Sequence, residues 1–335
     1  MVRSMNAVQH VAIVGLGSIG RRHLRLLKQL RPELKITLVR SGKGQSWPEE
    51  ALSHQIVATI SEAVDTGINA AIIASPAPWH VPQALALLQA NIPVLIEKPL
   101  AHDLSGIAEL HSLAVQRQTV VLMGYVLRYH QAAQQMHRLI HQQRIIGRPL
   151  HARIECGSYL PEWRPEQDYR TTASACSELG GGVLLELSHE LDYAQWFFGP
   201  FVSVNALLHN SGTLDITVED TADLLLSNNH GLPVAIHLDF CRRQTSRYCI
   251  VQGDQGALCW DALNHRVGWT PATGSPQYWD FPIERDDLFR QQLAHFLACI
   301  EHGEQPKVTL NDGIAVLQLI EAARTAHGEG CTVKL

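Results

Sequence analysis

The chain has 335 residues and a formal net charge of −5 at pH 7, and this length is sufficient for two domains with separate hydrophobic cores. The slightly acidic balance gives no basic surface for nucleic acid, no apolar stretch is long enough to cross a bilayer, and residues 1–6 leave no room for a signal peptide. The seven cysteines are scattered and the histidines lack the spacing of metal ligands, so we expect a cytoplasmic protein without a disulfide framework or a metal.

Short apolar runs alternate with segments of helical periodicity in the first part of the chain. The predicted strands are 10–14, 35–39, 56–59, 70–74, 93–96 and 120–123. This β-α-β rhythm is typical of a doubly wound parallel sheet. We therefore predict a dinucleotide-binding Rossmann domain over residues 1–126.

A glycine fingerprint follows the first predicted strand and opens a helix. Gly15 permits a tight turn, Gly17 lets the backbone approach a pyrophosphate, and Gly20 lets the helix lie close to the strand. The pyrophosphate then meets the free N–H groups at the start of the helix. The predicted cofactor-binding residues of this loop are Gly15, Gly17, Ser18, Ile19 and Gly20.

The end of the second strand decides the cofactor. An acidic residue here would bind the ribose 2′-hydroxyl of NAD, but the chain has Arg40 and Ser41, followed by Lys43. A guanidinium suits phosphate oxygens, so we predict NADP in preference to NAD. The alternative is that Arg40 is an ordinary solvated arginine.

The triplet Glu97-Lys98-Pro99 closes the apolar run that begins at Ile92. A residue at the carboxyl end of a central Rossmann strand opens into the ligand crevice, so Lys98 is a titratable group placed beside the nicotinamide. Two roles are open for Lys98: it stabilises an alkoxide that develops on a bound substrate, or it takes the hydroxyl proton itself. The alternative is a solvated lysine before a proline turn.

The pattern changes after a predicted helix over residues 131–144. Strand-like runs at 150–159, 201–208, 215–226, 233–241, 246–252 and 256–261 follow one another with few helices between them. This succession predicts a second α/β domain over residues 127–335, with a large, mostly antiparallel sheet. A closing helix is predicted at 311–327, with Asn311 as its cap and Gly328 as its stop.

The motifs in this order resemble the Gfo/Idh/MocA family, which includes glucose-fructose oxidoreductase and inositol dehydrogenase. The likeness covers essentially the whole chain and rests on the glycine fingerprint, Ser75 to His80, Glu97-Lys98-Pro99, Gly124-Tyr125 with Arg128-Tyr129, and Gly180 to Gly182 before a helix with His189. The resemblance implies redox chemistry on a carbinol of a sugar or cyclitol, and an open sheet that faces the active site and mediates oligomers. It also implies that Lys98 and His189 are catalytic and that Ser75, Pro76, His80 and Glu97 line the cofactor cleft.

Two departures from the family pattern concern these motifs. Ala77 replaces a common asparagine, and Glu186 and His189 are three residues apart where the family has an aspartate and a histidine four apart. Residues three apart share a helical face, so we expect Glu186 and Asp192 to support His189 as a general acid and base. The alternative is a surface ladder on an amphipathic helix.

The segment 159–170 lies where the family's substrate loop is expected, and it resembles a subgroup linked to nonulosonic-acid and surface-glycan pathways. Aromatic rings here would stack on a sugar, and guanidinium groups would bind a carboxylate or diphosphate. The alternative is a loop whose arginines form structural ion pairs. The predicted substrate-binding residues are Arg128, Trp163, Arg164, Tyr169 and Arg170.

These expectations describe an NAD(P)-dependent oxidoreductase that acts on an anionic sugar, such as a sugar acid or a nucleotide sugar, and that forms a homo-oligomer. The alternative within the same class is an NAD-dependent cyclitol or free-sugar dehydrogenase. Two further classes stay open, a non-catalytic nucleotide-binding regulator and a scaffold that uses the open sheet. The direction of the reaction cannot be read from the residues.

Overall fold

The computed structural model describes residues 7–42 and 44–335 and divides into two units. The first unit runs up to Val126 and also contains Glu284–Ile314, and the second comprises Leu127–Ile283 and Ala315–Leu335. The predicted second domain was continuous to residue 335, whereas the structure places 284–314 in the first unit. Residues 1–6, from which we expected no signal peptide, and Lys43, which follows the predicted phosphate-binding residues Arg40 and Ser41, lie outside the described residues.

The strands and helices are numbered separately in chain order. The strands are β1 His10–Val14, β2 Lys35–Val39, β3 Gln55–Val57, β4 Ala70–Ile73, β5 Val94–Ile96, β6 Val121–Met123, β7 Pro149–Gly157, β8 Phe201–His209, β9 Thr221–Asn228, β10 Pro233–Asp239, β11 Ser246–Gly253, β12 Gly256–Asp261, β13 Arg266–Pro271, β14 Gln277–Asp280 and β15 Val333–Lys334. The helices are α1 Ser18–Leu30, α2 Ile60–Asp65, α3 His80–Gln89, α4 Ile107–Arg117, α5 Gln131–His141, α6 Val183–Glu186, α7 Ser188–Phe198, α8 Arg285–His302 and α9 Leu310–Glu329.

The first unit is built on a parallel sheet with the strand order β3-β2-β1-β4-β5-β6. Strand β1 is apolar apart from His10 and is buried along its whole length, as expected for a central parallel strand covered on both faces. Helix α1 buries Leu24, Leu26 and Leu27 and packs against α8, a helix that the sequence analysis did not predict. The predicted Rossmann sheet is confirmed.

The second unit contains a sheet in the order β14-β13-β12-β11-β7-β10-β9-β8-β15. Neighbouring strands are antiparallel except β7 and β10, which run parallel, so the sheet is mixed. The strand predicted from residue 215 begins at Thr221 instead. The side-chain amide of Asn210 donates to the carbonyl oxygens of Ile216 and Val218 at 2.7 and 2.8 Å, which holds this segment in a loop.

The two faces of this second sheet differ in polarity and burial. Alternate residues such as Val204, Leu224 and Ile236 are buried, whereas Leu207 and Leu225 are 61% and 55% exposed. This period of two follows from the pleat of the strands. We call the exposed side the open face; it is lined by Arg153, Asn205, Leu207, Asp223, Leu225, Ala235 and His237. None of the helices formed by the described residues is long and apolar enough to span a membrane.

Candidate active site

The predicted cofactor residues of the first unit gather at one edge of its sheet. Gly15 follows β1, Arg40 follows β2, and Ser75 and Lys98 come two residues after β4 and β5. Because the strands are parallel, their carboxyl ends meet at the same edge, in the order Arg40, Gly15, Ser75, Lys98. The strand order reverses between β1 and β4, where open α/β sheets form a ligand crevice. The glycine loop therefore lies between Arg40 on one side and Lys98 on the other.

The three glycines of the loop meet different surroundings. Gly15 has φ +91°, and a Cβ there would lie 2.8 Å from the backbone nitrogen of Ser75. A Cβ at Gly20 would lie 2.2 Å from the carbonyl oxygen of Gly15, which shows how closely the helix approaches the strand end. By contrast, a Cβ at Gly17 would meet nothing within 4 Å. The loop is thus closely packed on its protein side and open at its centre.

The first turn of α1 completes this open site. Ser18 is exposed and Ile19 is half-buried, and both belong to the turn whose N–H groups have no partners within the helix. These N–H groups and the positive end of the helix dipole would bind a diphosphate over Gly17. The geometry of the loop therefore fits a dinucleotide.

Arg40 is held by the loop that follows β2. Its guanidinium donates to the carboxylate of Glu50 and, at 2.6 Å, to the carbonyl oxygen of Gln45. Glu50, ten residues later in the chain, thus places beside Arg40 a carboxylate that the residues at the strand end did not indicate. Ser41 is exposed at the start of the same loop. Two of the donors that a 2′-phosphate would use are engaged within the protein.

His80 connects two loops at the sheet edge. Its Nδ1 lies 2.8 Å from the carbonyl oxygen of Pro99, and its Nε2 lies 2.7 Å from that of Ser75. The ring is 1% exposed, and burial lowers the pKa of His80 against the opposing effect of the two carbonyl groups. Ser75 donates through its hydroxyl to Gln83 at 2.6 Å, and Pro76 is exposed. The His80 ring therefore holds the loops that carry Ser75 and Pro99 together.

Glu97 is buried beneath the half-buried Lys98. Its carboxylate accepts from the imidazole of His23 at 2.6 Å and from the backbone N–H of Lys98 at 3.3 Å. Sequence reasoning missed His23, because a histidine on the buried side of α1 gives no local signal of a partner 74 residues away.

The helix that carries His189 is interrupted in the second unit. Helix α6 ends at Glu186, Leu187 has φ −97° and ψ 28°, and α7 then begins at Ser188. The prediction that Glu186, His189 and Asp192 form one stack on a continuous helix is therefore wrong. Only His189 and Asp192 share a helix, and His189 is half-buried.

Asp192 accepts two hydrogen bonds from Arg128, each 2.8 Å long. Both residues are buried, and the guanidinium carbon lies 4.8 Å from the ring centroid of Trp196. The structure thus joins a predicted substrate-binding residue to a predicted supporting residue of His189. A bidentate pair of this kind satisfies charges that are expensive to bury alone.

A second ion pair, which was not predicted from the sequence, joins Glu190 of α7 to Arg247 of β11. Glu190 accepts from Arg247 at 2.6 and 3.1 Å and is fully buried. Nearby, Gly182 has φ +108°, and a Cβ there would lie 2.4 Å from a carboxylate oxygen of Glu219. Burial raises the pKa of Glu219. The contact of Gly182 with Glu219 and the ion pair of Glu190 with Arg247 therefore fix the chain before and after His189.

The side chains of the predicted substrate loop have different partners. Trp163 donates to the hydroxyl of Ser158 at 2.7 Å, and Tyr169 donates to the carbonyl oxygen of Leu214 at 2.7 Å. Arg170 is engaged by Asp168 at 2.8 Å and by Asp215 at 3.3 Å.

Arg164 is half-buried, and among residues 7–42 and 44–335 its guanidinium has no hydrogen bond or ion pair. Of the two arginines in this loop, Arg164 is the one whose donors are available. Within the same described ranges, no cluster of three or more histidine, cysteine or acidic side chains is arranged to bind a metal ion.

Sequence comparison identifies both halves of the chain. Residues 9–125 match the oxidoreductase family with an NAD-binding Rossmann fold, and residues 140–335 match the C-terminal α/β domain of the same family, Gfo/Idh/MocA. The chain is 28% identical to 1,5-anhydro-D-fructose reductase of Ensifer adhaerens, over 85% of this chain and 86% of that protein. It is 25% identical to myo-inositol 2-dehydrogenase of Thermotoga maritima, over 97% and 98% of the two chains.

Comparison with solved structures gives the same fold. Levoglucosan dehydrogenase in complex with NADH and levoglucosan superposes with a TM-score of 0.86 at 17% identity, covering 97% of this chain and 99% of that one. The chain therefore belongs to the Gfo/Idh/MocA family of oxidoreductases, with an NAD-binding Rossmann fold followed by the family's C-terminal α/β domain.

Proposed function

We propose that this oxidoreductase transfers a hydride between a nicotinamide cofactor and a carbinol or carbonyl carbon of an anionic sugar. The observation that carries the proposal is the edge of the first sheet, where an open glycine loop lies between the strand ends that bear Arg40 and Lys98. The relatives named as a sugar reductase and an inositol dehydrogenase support the same class of chemistry.

In this hydride transfer, we assign separate roles to the residues of the chain. The bound nicotinamide supplies or accepts the hydride. Lys98 donates a hydrogen bond to the reacting oxygen and stabilises negative charge as it develops there. His189 takes the hydroxyl proton in oxidation and returns it in reduction. Gly17, Ser18 and Ile19 hold the diphosphate, and the loops joined by His80 fix the strand ends around it.

Variants of Lys98 and His189 test these roles. Lys98→Met and His189→Asn should each lower turnover by about a hundredfold or more, while NADH binding, followed by its fluorescence, stays within about threefold of wild type. His189→Asn should also remove one limb of the pH profile of kcat. Near-normal turnover in either variant would remove that residue from the catalytic set.

An anionic substrate is supported by Arg164. Its guanidinium is available in the predicted substrate loop, whereas that of Arg170 is neutralised by two carboxylates. Arg164→Ala should raise the KM for a sugar acid or nucleotide sugar by about tenfold or more, because a charge-assisted bond is lost. Arg170→Ala is the matched control and should change KM much less. Equal effects of the two variants would contradict this assignment.

The cofactor preference follows from Arg40 and its partner Glu50. We propose that NADP is preferred and that Glu50 weakens this preference, because its carboxylate competes with a 2′-phosphate for the guanidinium of Arg40. Glu50→Gln should therefore increase the affinity for NADPH relative to NADH, and Arg40→Ala should weaken NADPH binding by about 1.5 to 3 kcal/mol with little effect on NADH. If Arg40→Ala lowered the affinities for NADPH and NADH equally, a role of Arg40 in recognising the 2′-phosphate would be excluded.

A second candidate is an NAD-dependent dehydrogenase of cyclitols or free sugars. It is favoured by the engagement of Arg40 with Glu50 and by the relative named as a myo-inositol 2-dehydrogenase. Efficient turnover of uncharged cyclitols with NAD, unchanged by Arg164→Ala, would establish this candidate in place of the first.

The open face is the surface through which this chain is proposed to form a dimer or tetramer. Leu207 and Leu225 are exposed there beside Arg153, Asp223 and His237. Leu225→Asp should lower the molar mass measured by light scattering, whereas Leu263→Asp, a control at a 46% exposed position outside the open face, should not. A monomeric wild type would refute this proposal.

A further inference from the structure

The carboxylate of Glu97 joins two parts of the first unit. One oxygen, Oε1, lies 2.6 Å from Nε2 of His23, and the other, Oε2, accepts from the backbone N–H of Lys98 at 3.3 Å. Since an ionised carboxylate only accepts hydrogen bonds, the imidazole donates through Nε2. His23 is therefore linked to the backbone of Lys98 through a single side chain.

This link lies in a closed environment. His23 is 0% exposed and Glu97 is 6% exposed. The ring of His23 meets that of Phe289 edge-on at 5.9 Å. On the other side, a Cβ at Gly124 would lie 2.9 Å from both Cα and Oε2 of Glu97, so position 124 must stay without a side chain for the carboxylate to keep its place.

Burial makes the partner of Glu97 important. A carboxylate out of water needs hydrogen-bond donors, and removing one donor leaves the charge under-solvated and free to reorient. Reorientation of Glu97 would withdraw Oε2 from the N–H of Lys98. An error of about 1 Å in the place of a catalytic group is enough to slow a reaction by about a hundredfold.

We propose that His23 is a positioning residue for Lys98, acting through Glu97. His23 belongs to the helix whose first turn faces the diphosphate site, so the same contact ties the backbone of Lys98 to the element that binds the cofactor. The inference rests on the proposed catalytic role of Lys98.

The test compares His23→Leu with His23→Gln in the full chain, because glutamine can still donate to Glu97 and leucine cannot. His23→Leu should lower kcat by about tenfold to a hundredfold, with KM and NADH affinity within about threefold of wild type. His23→Gln should restore kcat to within about threefold. A residue needed only for packing would instead change the unfolding midpoint and leave kcat of the folded protein unaltered.

Two further variants keep the outcomes distinct. If His23→Leu does not fold, Glu97→Gln is measured instead, and it should lower kcat in the same way because a single amide oxygen cannot accept from both the imidazole of His23 and the backbone N–H of Lys98. Unchanged kcat in the available variant, or His23→Gln as slow as His23→Leu, would overturn the inference. Lys98→Met is assayed alongside: full activity in that variant would refute the proposed function itself, whereas loss of activity there with normal kcat in His23→Leu would refute only the role of His23.

Discussion

The pair formed by Arg128 and Asp192 gives a prediction that separates a structural from a substrate-binding role. Their side chains are 7% and 1% exposed and share two bonds of 2.8 Å. Arg128→Met keeps an apolar stem beside Trp196 but removes both of these hydrogen bonds from the buried carboxylate of Asp192. Breaking such a pair costs about 3 to 5 kcal/mol.

This cost should be visible in thermal unfolding. A change of 1 kcal/mol shifts the midpoint of a unit of this size by about 2 to 4 °C, so Arg128→Met should lower it by roughly 6 to 20 °C. Most of the tryptophans lie in the second unit, and tryptophan fluorescence therefore follows its unfolding.

The exposed pair of Arg170 and Asp168 supplies the control. Arg170→Met should leave the unfolding midpoint nearly unchanged, because solvent screens exposed charges. The double variant Arg128→Met/Asp192→Leu should be more stable than Arg128→Met alone, since it also removes the buried carboxylate. A midpoint of Arg128→Met within about 2 °C of wild type, together with a raised substrate KM, would show that Arg128 binds substrate instead.

Three further predictions concern the glycine loop and two histidines. Gly20→Ala places a Cβ 2.2 Å from a backbone carbonyl oxygen, so NADH affinity measured by fluorescence should fall about tenfold or more; unchanged affinity would contradict the packing argument. Hydrogen bonds to Asp239 and Asp223 raise the pKa of His237, so the stability that it contributes is complete below about pH 6.5 and is lost as pH rises through the folded pKa. The difference in unfolding midpoint between wild type and His237→Gln should shrink over that range, and a constant difference would count against it. Burial lowers the pKa of His130 to about 4, so the unfolded chain takes up a proton at a higher pH than the folded chain. The unfolding midpoint should therefore fall as pH drops from about 6.5 to 4. It should fall less in His130→Asn, whose side chain can still cap α5.

The first sheet could be predicted because its information is local. The apolar run of β1, the glycine spacing and the leucines of α1 lie within 21 residues of one another, and each agrees with the same fold. The loop at 210–220 could not, because the amide of Asn210 captures backbone carbonyl groups in a segment whose composition resembles a strand. Helix α8 was not predicted, although its buried residues Leu288, Leu293 and Phe296 recur at helical spacing, so its signal is present in the sequence.

Only part of the candidate site could be predicted, because its contacts are not local in sequence. Residue types and their order indicated Lys98 and His189, but the partners of the charged groups are distant in sequence. Asp192 lies 64 residues from Arg128, and no periodicity connects them. The break at Leu187 was equally hidden, because the residues around it read as one continuous helix.

Formation of reduced nicotinamide by the purified chain tests the proposed hydride transfer directly. NAD and NADP are each supplied with sugar acids, nucleotide sugars, free sugars and cyclitols, and the absorbance of the reduced cofactor is followed for wild type and Lys98→Met. We expect turnover of at least one anionic sugar that is lost in Lys98→Met while the variant still binds NADH. Tight cofactor binding with no turnover of any carbinol, or turnover that survives in Lys98→Met, would contradict it, and the first of these results would favour a nucleotide-binding regulator.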